Sequence, residues 1–340
     1  MKNIFDYNRE EFVKYFLNIG EKKFKAVQIF EHLYKKRNLN IDEISNIKKE
    51  TINKIKDDFS FNMIEISEVK HGSDVNKYLF KLNDNDYVEA VLMMHNYGKS
   101  LCVSTQVGCN MGCKFCESGR LKKVRNLNTY EMVEQILLIE KKENIRISHV
   151  VLMGIGEPFD NYNNVMNFIK IINDDMGLAL GSRHITVSTC GIVPKIKEFS
   201  KIGIQVNLAV SLHAPTNELR DKIMPINKVY NLDILIPTLK EYIKMTNRRV
   251  TFEYILLKDV NDTRECALNL CKLIKGMNAY VNLIPYNETE NFNFKRSTTS
   301  NITSFYDILK KNNINVTIRR EFGGLIDAAC GQLRANKGGK

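Results

Sequence analysis

The chain has 340 residues, of which 44% are hydrophobic and 26% are charged. This composition is typical of a folded globular protein and excludes a mainly disordered or collagen-like chain; the length allows two domains, or one barrel-sized domain with an appendage. The formal net charge of +11 favours a polyanionic partner such as nucleic acid. The sequence has neither an apolar run of the roughly 20 residues that a membrane helix needs nor a secretory signal, so we expect a cytoplasmic protein with no membrane contact.

The first 60 residues have the apolar periodicity of three short helices. Phe12, Tyr15 and Phe16 share one apolar stripe, and a second stripe runs through residues 27–34. Basic residues cluster around the second stripe: Lys22, Lys23, Lys25, Lys35, Lys36 and Arg37. This cluster is either a solvated charged face or a nucleic-acid contact. We predict a helical accessory domain over residues 1–60.

Residues 61–97 have the character of strands. Two apolar runs, at residues 77–82 and 87–93, flank a turn cluster at residues 83–86 and predict a β hairpin that links the accessory domain to the rest of the chain. Glu89 lies in the second run, where alternation alone would make it a solvent-facing residue.

From residue 98 onwards, apolar strands alternate with helical segments. Strands are predicted at residues 101–106, 149–153, 185–189, 206–212, 250–256, 280–284 and 315–318. Helices are predicted at residues 130–142, 163–172, 193–202, 232–245, 264–275 and 302–311. This alternation predicts an α/β fold with a parallel sheet, and about six strand–helix units fit a partial (β/α)6 barrel rather than a closed barrel of eight.

Four of the eight cysteines lie between residues 102 and 116. Cys109, Cys113 and Cys116 follow the first strand of the alternating region in the spacing C-x3-C-x2-C. Three thiolates in so short a loop can bind three irons of a four-iron cluster and leave the fourth iron open. A structural zinc site is the alternative; it needs a fourth ligand, for which Cys102 and His95 are the candidates.

Small and polar residues follow the next predicted strands, at the positions where barrel strands present ligand groups. The second strand ends in Met153-Gly-Ile-Gly-Glu-Pro, in which glycine lets the backbone approach a ligand and Glu157 can accept a hydrogen bond from an ammonium group. Later strand ends carry Ser188, the run Ser211-Leu-His213, and Asn287.

The cysteine spacing, with an aromatic residue before the last cysteine, resembles the signature of radical S-adenosylmethionine enzymes. The resemblance implies one four-iron four-sulfur cluster per chain, held by Cys109, Cys113 and Cys116, with S-adenosylmethionine on the open iron. Reductive cleavage would give a 5′-deoxyadenosyl radical. The implied S-adenosylmethionine-binding residues are Gly156, Glu157, Ser188, Ser211, Leu212, His213 and Asn287.

A closer resemblance is to the RlmN/Cfr family of radical S-adenosylmethionine 23S rRNA adenine methyltransferases, and it runs from about Glu89 to Leu333. The motifs that carry it are Cys102-Val-Ser-Thr-Gln-Val-Gly-Cys109, Gly156-Glu-Pro, Ser188-Thr, Ser211-Leu-His-Ala-Pro, Met224-Pro-Ile-Asn and Ile326-Asp-Ala-Ala-Cys-Gly-Gln-Leu333. Two positions depart from the family pattern: Glu117, where a small residue is usual, and Leu325, where aspartate is frequent.

The family resemblance implies a methyl relay that uses two molecules of S-adenosylmethionine per turnover. The thiolate of Cys330 takes a methyl group from the first, and the radical made from the second activates that methyl group for addition to adenine. Glu89 then removes the ring proton. Cys102 attacks the sulfur of Cys330, which releases the product and leaves a disulfide.

The resemblance also implies the partners and the division of the chain. The partners are 23S rRNA, for some members a tRNA adenosine, and a reducing electron donor such as flavodoxin or ferredoxin; we expect a monomer. Residues that we expect along the RNA path are Arg120, Lys122, Lys123, Arg125, Arg319 and Arg320. The chain divides into four segments. They are the accessory domain at residues 1–60, the hairpin linker that carries Glu89 at residues 61–97, the radical core at residues 98–320, and the carrier-cysteine loop with its basic tail at residues 321–340.

The sequence is compatible with either of two branches of the family, which methylate different carbons of adenine. Members of one methylate carbon 2 of an adenosine in the peptidyl-transferase centre, and Cfr-type members methylate carbon 8 and give antibiotic resistance. Gln106-Val-Gly-Cys, Ser211-Leu-His-Ala-Pro and Arg319-Arg-Glu-Phe favour carbon 2, whereas Phe322-Gly and the short N terminus favour carbon 8. A hypothesis from another functional class is an RNA-binding protein whose metal is purely structural. Such a protein would form no deoxyadenosine from S-adenosylmethionine.

Overall fold

The structure is a computed structural model that describes residues 1–319 and 331–333. Its main element is a single ten-stranded sheet, with helices packed on one face of the sheet's parallel part and a group of helices at the N terminus. Among the described residues, no helix has the length and apolar character of a membrane span.

Three N-terminal helices form as predicted. They are α1 (Arg9–Asn18), α2 (Lys23–Tyr34) and α3 (Lys49–Asp58), with single 3-10 turns at Ile4–Asp6 and Ile41–Glu43. Asn8 and Glu11 start α1 as a reciprocal capping box. Phe12 and Phe30 are fully buried and meet edge to face with ring centroids 5.8 Å apart, as part of the core that the helices share with the sheet.

Antiparallel strands follow the helices and begin the sheet. They are β1 (Glu65–His71), β2 (Val75–Lys81), β3 (Tyr87–His95) and β4 (Gly98–Cys102). The predicted hairpin is β2 and β3, which pair in an unbroken register. The prediction omits β1, because this edge strand is largely exposed and has no apolar alternation. Since β3 also pairs with β4, the hairpin continues directly into the parallel part of the sheet.

The parallel part of the sheet confirms the predicted α/β partial barrel. After the short antiparallel pair β5 (Gln106–Val107) and β6 (Arg125–Asn126), the strands are β7 (His149–Leu152), β8 (Ile185–Thr189), β9 (Asn207–Ser211), β10 (Val250–Leu256), β11 (Ala279–Pro285) and β12 (Asn315–Ile318). The helices are α4 (Thr129–Glu143), α5 (Tyr162–Asn173), α6 (Val193–Phe199), α7 (Asn217–Ile223), α8 (Leu232–Thr246), α9 (Arg264–Leu273) and α10 (Thr299–Lys311). Strands β4 and β7 to β12 pair in parallel with their neighbours.

Helix α7 is absent from the prediction because its seven residues contain only one apolar pair, Leu219 and Ile223, which is too short a pattern to show a helical period. Its buried residues are Ile223 and Arg220, and the side chain of Arg220 is fully buried. The guanidinium donates to the carbonyls of Cys190 at 2.7 Å and Leu212 at 3.2 Å, and to Asn227 Oδ1 at 3.0 Å. A buried cation is tolerated there because backbone dipoles satisfy its donors. Arg220 thus fixes α7 against the carboxyl ends of β8 and β9.

The inner face of the parallel strands is polar. Thr186 of β8 pairs with Asn207 of β9, and Glu253 of β10 lies between Ser211 and Asn282 in the register. All five residues line cavities inside the barrel. The opposite face carries the aliphatic residues that pack under the helices. Because polar side chains replace the bulky layers of a closed barrel, the lumen stays open.

Candidate active site

The three cysteines of the predicted cluster lie in the loop between β5 and β6 and line one cavity at the carboxyl ends of the strands. Backbone hydrogen bonds hold this loop at both ends. The Cys109 N–H donates to the Leu121 carbonyl at 2.9 Å, and the Lys114 N–H donates to the Ile223 carbonyl, also at 2.9 Å. The structure therefore brings Cys109, Cys113 and Cys116 together, as the spacing predicts.

The charge of these thiols depends on what surrounds them. Burial raises the pKa of Cys109 to about 12 and also raises the pKa of Cys113, and the neighbouring Glu157 acts in the same direction. A buried thiolate needs a positive partner, and iron ions supply it when they bind. The donor set and its surroundings therefore fit an iron–sulfur cluster.

The zinc hypothesis fits the structure less well. Within residues 1–319 and 331–333, no group of three or more His, Cys, Asp or Glu side chains is arranged to hold a single metal ion. Of the two candidate fourth ligands, Cys102 packs in an apolar group and does not line the cysteine cavity, and the His95 ring stacks on Tyr97. In a four-iron cluster each thiolate binds a different iron at a corner of a cube, so the thiolates do not need to converge on one ion.

The turn after β7 brings Gly156 and Glu157 to the same cavity. Gly156 has a φ of +111°, and a Cβ atom there would lie 2.7 Å from Cβ of Gln106, so that only glycine fits. The buried Glu157 carboxylate accepts hydrogen bonds from the N–H groups of Cys190 at 2.7 Å and Phe159 at 3.0 Å. Burial raises the pKa of Glu157, and these two hydrogen bonds lower it in part.

Three of the remaining predicted cofactor residues also line the cavity: Ser188, Ser211 and His213. The His213 Nδ1 atom accepts from the Ile255 N–H at 3.0 Å, and the ring meets Phe115 edge-on at 4.8 Å. Burial lowers the pKa of His213 to about 3, so the imidazole is neutral at physiological pH.

The other two predicted cofactor residues, Leu212 and Asn287, lie outside the cavity lining. Leu212 packs in the main core, and its backbone N–H donates to the Glu253 carbonyl. Asn287 follows β11 in a half-buried position.

Glu89 and Cys102 lie on one face of the sheet. Val91 of β3 pairs with Cys102 of β4, and Glu89 stands two residues before Val91, so both side chains point the same way. Both residues are buried, in contrast to the solvent-facing position that alternation alone suggests for Glu89. The Glu89 carboxylate Oε1 lies 3.2 Å from Lys77 Nζ.

Cys330 and Arg320 lie outside the described residues, but the residues that follow Cys330 are placed. Gly331 lines the cysteine cavity, and its carbonyl accepts from the Glu117 N–H at 2.8 Å. Ser118 Oγ donates to the Leu333 carbonyl at 2.7 Å, and Leu333 packs in the apolar group that contains Cys102.

Glu117, which stands where the family pattern usually has a small residue, has a structural role in this chain. The Glu117 carboxylate is buried and accepts hydrogen bonds from Asn291 Nδ2 and Arg120 Nη1, each at 3.1 Å. Together with its backbone bond to Gly331, this side chain joins the cysteine loop, the segment after β11 and the C-terminal residues.

The basic residues predicted along the RNA path have mostly intramolecular partners. Lys123 pairs with Asp160 at 2.7 Å, Arg120 pairs with Glu117, and Arg125 pairs with both Asp84 and Glu131. In the accessory helices, Lys25 pairs with Glu21 and Arg37 pairs with Glu140. Lys122 is exposed, and Arg319 lines the cysteine cavity.

Sequence reasoning missed Glu253, a buried residue that also lines the cavity. Its Oε1 accepts from Asn282 Nδ2 at 2.9 Å, whereas its buried Oε2 has no hydrogen-bond partner among residues 1–319 and 331–333. The signal was a carboxylate in the middle of the apolar run at residues 250–256.

Comparisons with known proteins agree with this geometry. The model of the radical SAM superfamily matches residues 103–271, and that of the ribosomal RNA large subunit methyltransferase N-terminal domain matches residues 2–60. A probable dual-specificity RNA methyltransferase RlmN of Spiroplasma citri is 51% identical over 100% of this chain and 99% of its own length. One from Enterococcus faecalis is 52% identical over 99% of this chain and 97% of its own length. The chain belongs to the RlmN family of radical SAM proteins.

A solved structure supports the same assignment. A radical SAM methyltransferase from Sphaerobacter thermophilus is 35% identical and superposes with a TM-score of 0.93 over 99% of this chain and 100% of that one. Membership of the RlmN family confirms the predicted cofactors, which are a four-iron four-sulfur cluster and S-adenosylmethionine. It excludes a purely structural metal as the reason for the cysteine spacing.

Gly156 provides a test of the cofactor cavity. In a Gly156→Ala variant the added Cβ would meet Gln106 Cβ at 2.7 Å and Thr105 Oγ1 at 2.8 Å, on a backbone that already has a positive φ. We expect S-adenosylmethionine binding to weaken by about tenfold or more, equivalent to ~1.4 kcal/mol, in anaerobic titration calorimetry. The control is Gly181→Ala, where an added Cβ meets nothing within 4 Å. Equal affinities for the two variants would contradict the placement of the cofactor against Gly156.

Proposed function

We propose that this protein is a radical SAM methyltransferase that methylates carbon 2 of an adenosine in the peptidyl-transferase centre of 23S rRNA. The methyl group is carried on Cys330. The observation that carries the proposal is that Gly331, the residue after Cys330, lines the same cavity as Cys109, Cys113 and Cys116. A carrier thiol beside the cluster cysteines is what a methyl relay requires.

The cofactor-binding roles follow from the cavity lining. Cys109, Cys113 and Cys116 hold the cluster, and Gly156, Glu157, Ser188, Ser211 and His213 hold S-adenosylmethionine. Glu157 would accept a hydrogen bond from the ammonium group, and the neutral His213 adds no opposing positive charge. When bound, the cluster and S-adenosylmethionine together supply a carbon-centred radical, which the protein alone cannot make.

The chain's own residues would carry the methyl group and the proton. Cys330 acts as a thiolate nucleophile that accepts the methyl group in a new carbon–sulfur bond. Glu89 then takes the ring proton as general base; its carboxylate has a fixed position on the lumen side of β3, next to Lys77. Cys102 attacks the sulfur of Cys330, which breaks the bond from that sulfur to the transferred carbon, releases the methylated RNA and leaves a disulfide for an external thiol to reduce. The packing of Cys102 in one apolar group with Leu333 supports this pairing.

The substrate assignment draws on the relatives. Those from Spiroplasma citri and Enterococcus faecalis are described as probable dual-specificity RNA methyltransferases. Their identities to this chain, 51% and 52% over nearly its whole length, support an RNA substrate here. We assign the second specificity to an adenosine in a tRNA anticodon loop. The electron donor would be a flavodoxin or a ferredoxin, and the enzyme would act as a monomer.

The methylated carbon decides between the two branches of the family. We expect anaerobic reactions with a 23S rRNA fragment and with tRNA, followed by nuclease digestion and mass spectrometry, to give 2-methyladenosine from both. A product that contains only 8-methyladenosine would contradict the carbon-2 assignment and favour the Cfr-type alternative.

The two catalytic cysteines act at different steps of the relay, so we expect their variants to fail in different ways. Cys330→Ala removes the covalent nucleophile, so we expect methylated RNA to fall by about 10³-fold or more. Cys102→Ala leaves the adduct unresolved, so we expect RNA to migrate with the protein on a denaturing gel. The matched control is Cys266→Ala on the outer helix α9. Methylation by Cys330→Ala at the rate of the control would contradict the relay.

A further inference from the structure

A second cavity opens at the opposite end of the barrel, where the parallel strands begin. Its volume is about 690 Å³, within the range of ligand-binding cavities. Arg183 precedes β8, and Arg248 and Arg249 precede β10, so all three arginines stand at the amino ends of the strands. We call this space, defined by Arg183, Arg248 and Arg249, the arginine cavity.

The arginines of this cavity differ from the basic residues near the cysteine loop. In the part of the chain that the structure describes, none of the three forms an ion pair with a carboxylate. Arg248 donates to Asn207 Oδ1 at 2.9 Å and has a buried Nε without a partner, and Arg183 donates to Gln205 Oε1 at 3.3 Å. Arg249 lies over the Tyr280 ring at 4.7 Å. Their positive charge therefore remains available to an anion, and guanidinium geometry matches phosphate oxygens.

The arginine cavity lies next to the cysteine cavity. Met153, Glu253 and Arg319 line both. Between the two ends, the inner face carries small or polar side chains such as Thr186, Ala209 and Thr251 rather than bulky packing. A flat aromatic group that enters at the amino ends of the strands would therefore reach Met153 and Glu253, which also line the cysteine cavity.

Ring side chains lie on the same rim. His149 at the start of β7 stacks on His184, the neighbour of Arg183, with centroids 4.4 Å apart. Tyr97, which is 69% exposed, stacks on His95 and meets His149 edge-on. Exposed rings beside unpaired arginines are typical of surfaces that bind unstacked nucleotides.

We propose that the arginine cavity is the RNA-docking site. Arg183, Arg248 and Arg249 contact phosphates on either side of the extruded nucleotide, while its base occupies the part of the lumen lined by Met153 and Glu253. This inference rests on the proposed RNA methyltransferase function and adds the side of the barrel from which the RNA approaches. An adenine inside a duplex or stacked loop has to be extruded before its ring carbon can react, and a bound backbone next to an open lumen allows this.

The test is the salt dependence of RNA binding by the full-length holoenzyme. The probe is a fluorescent RNA hairpin with the target adenosine, and the variant is Arg248→Gln/Arg249→Gln. Loss of two phosphate contacts should weaken binding by about tenfold or more and reduce the slope of log K against log salt by about 1.5. In turnover with the same RNA, KM should rise while kcat changes little.

Two matched variants make the result specific. Arg248→Lys/Arg249→Lys keeps both charges and should recover most of the salt slope. Arg264→Gln removes one exposed charge from the first residue of α9 and should change affinity less than about twofold. Because Arg183 is exposed and at another strand, Arg183→Gln provides a second test that does not depend on the folding of the double variant; it should reduce the slope by about 0.7.

The outcomes separate this inference from the proposed function. If the wild-type enzyme methylates the hairpin and the glutamine variants bind it like Arg264→Gln, the docking site is wrong and the function stands. If the wild-type enzyme neither binds nor methylates RNA, both fail. If inorganic phosphate protects Arg248 and Arg249 from chemical modification but does not compete with the hairpin, the cavity is a small-anion site and the RNA proposal is overturned.

Discussion

The site depends on three thiols that line one cavity at the carboxyl ends of a parallel sheet. Burial raises the pKa of Cys109 and Cys113, so these sulfurs become ligands only when cations enter the same cavity. The loop that holds them is fixed by backbone hydrogen bonds to Leu121 and Ile223. The protein therefore presents a ligand set whose charge is balanced by iron, with Glu157 and Gly156 beside it.

The polar lumen is the second consequence of the architecture. In a closed barrel, bulky side chains fill the interior and leave only the strand ends for chemistry. Here Thr186, Asn207, Glu253 and Asn282 face inward and line the arginine cavity, and Glu253 also lines the cysteine cavity. One end of the barrel thus carries the cofactor chemistry, and the other carries unpaired positive charge. Such a division lets a large polyanion remain outside while one base reaches the interior.

The strength of local signals explains how much of the molecule could be predicted from sequence. Apolar runs predicted the strands of the parallel part, although β4 ends at Cys102 and not at residue 106, and the family resemblance implied the cofactors. Strand β1 was missed because it has no apolar alternation, and helix α7 because its seven residues are too few to show a helical period; α7 is held in part by the buried Arg220. Which basic residues are paired could not be predicted, since the partners of Arg125 and Arg37 are distant in sequence or in another element. Arg248 and Arg249 did give a local signal, two adjacent cations directly before a strand.

Mössbauer spectroscopy of the anaerobically purified, iron-57-labelled protein tests the central claim most directly. The account predicts a cluster of four irons in which addition of S-adenosylmethionine changes the isomer shift of one iron and leaves the other three unchanged, because only one iron lacks a cysteine ligand. A protein that contains zinc and no iron, or a cluster in which none of the irons responds to S-adenosylmethionine, would contradict it.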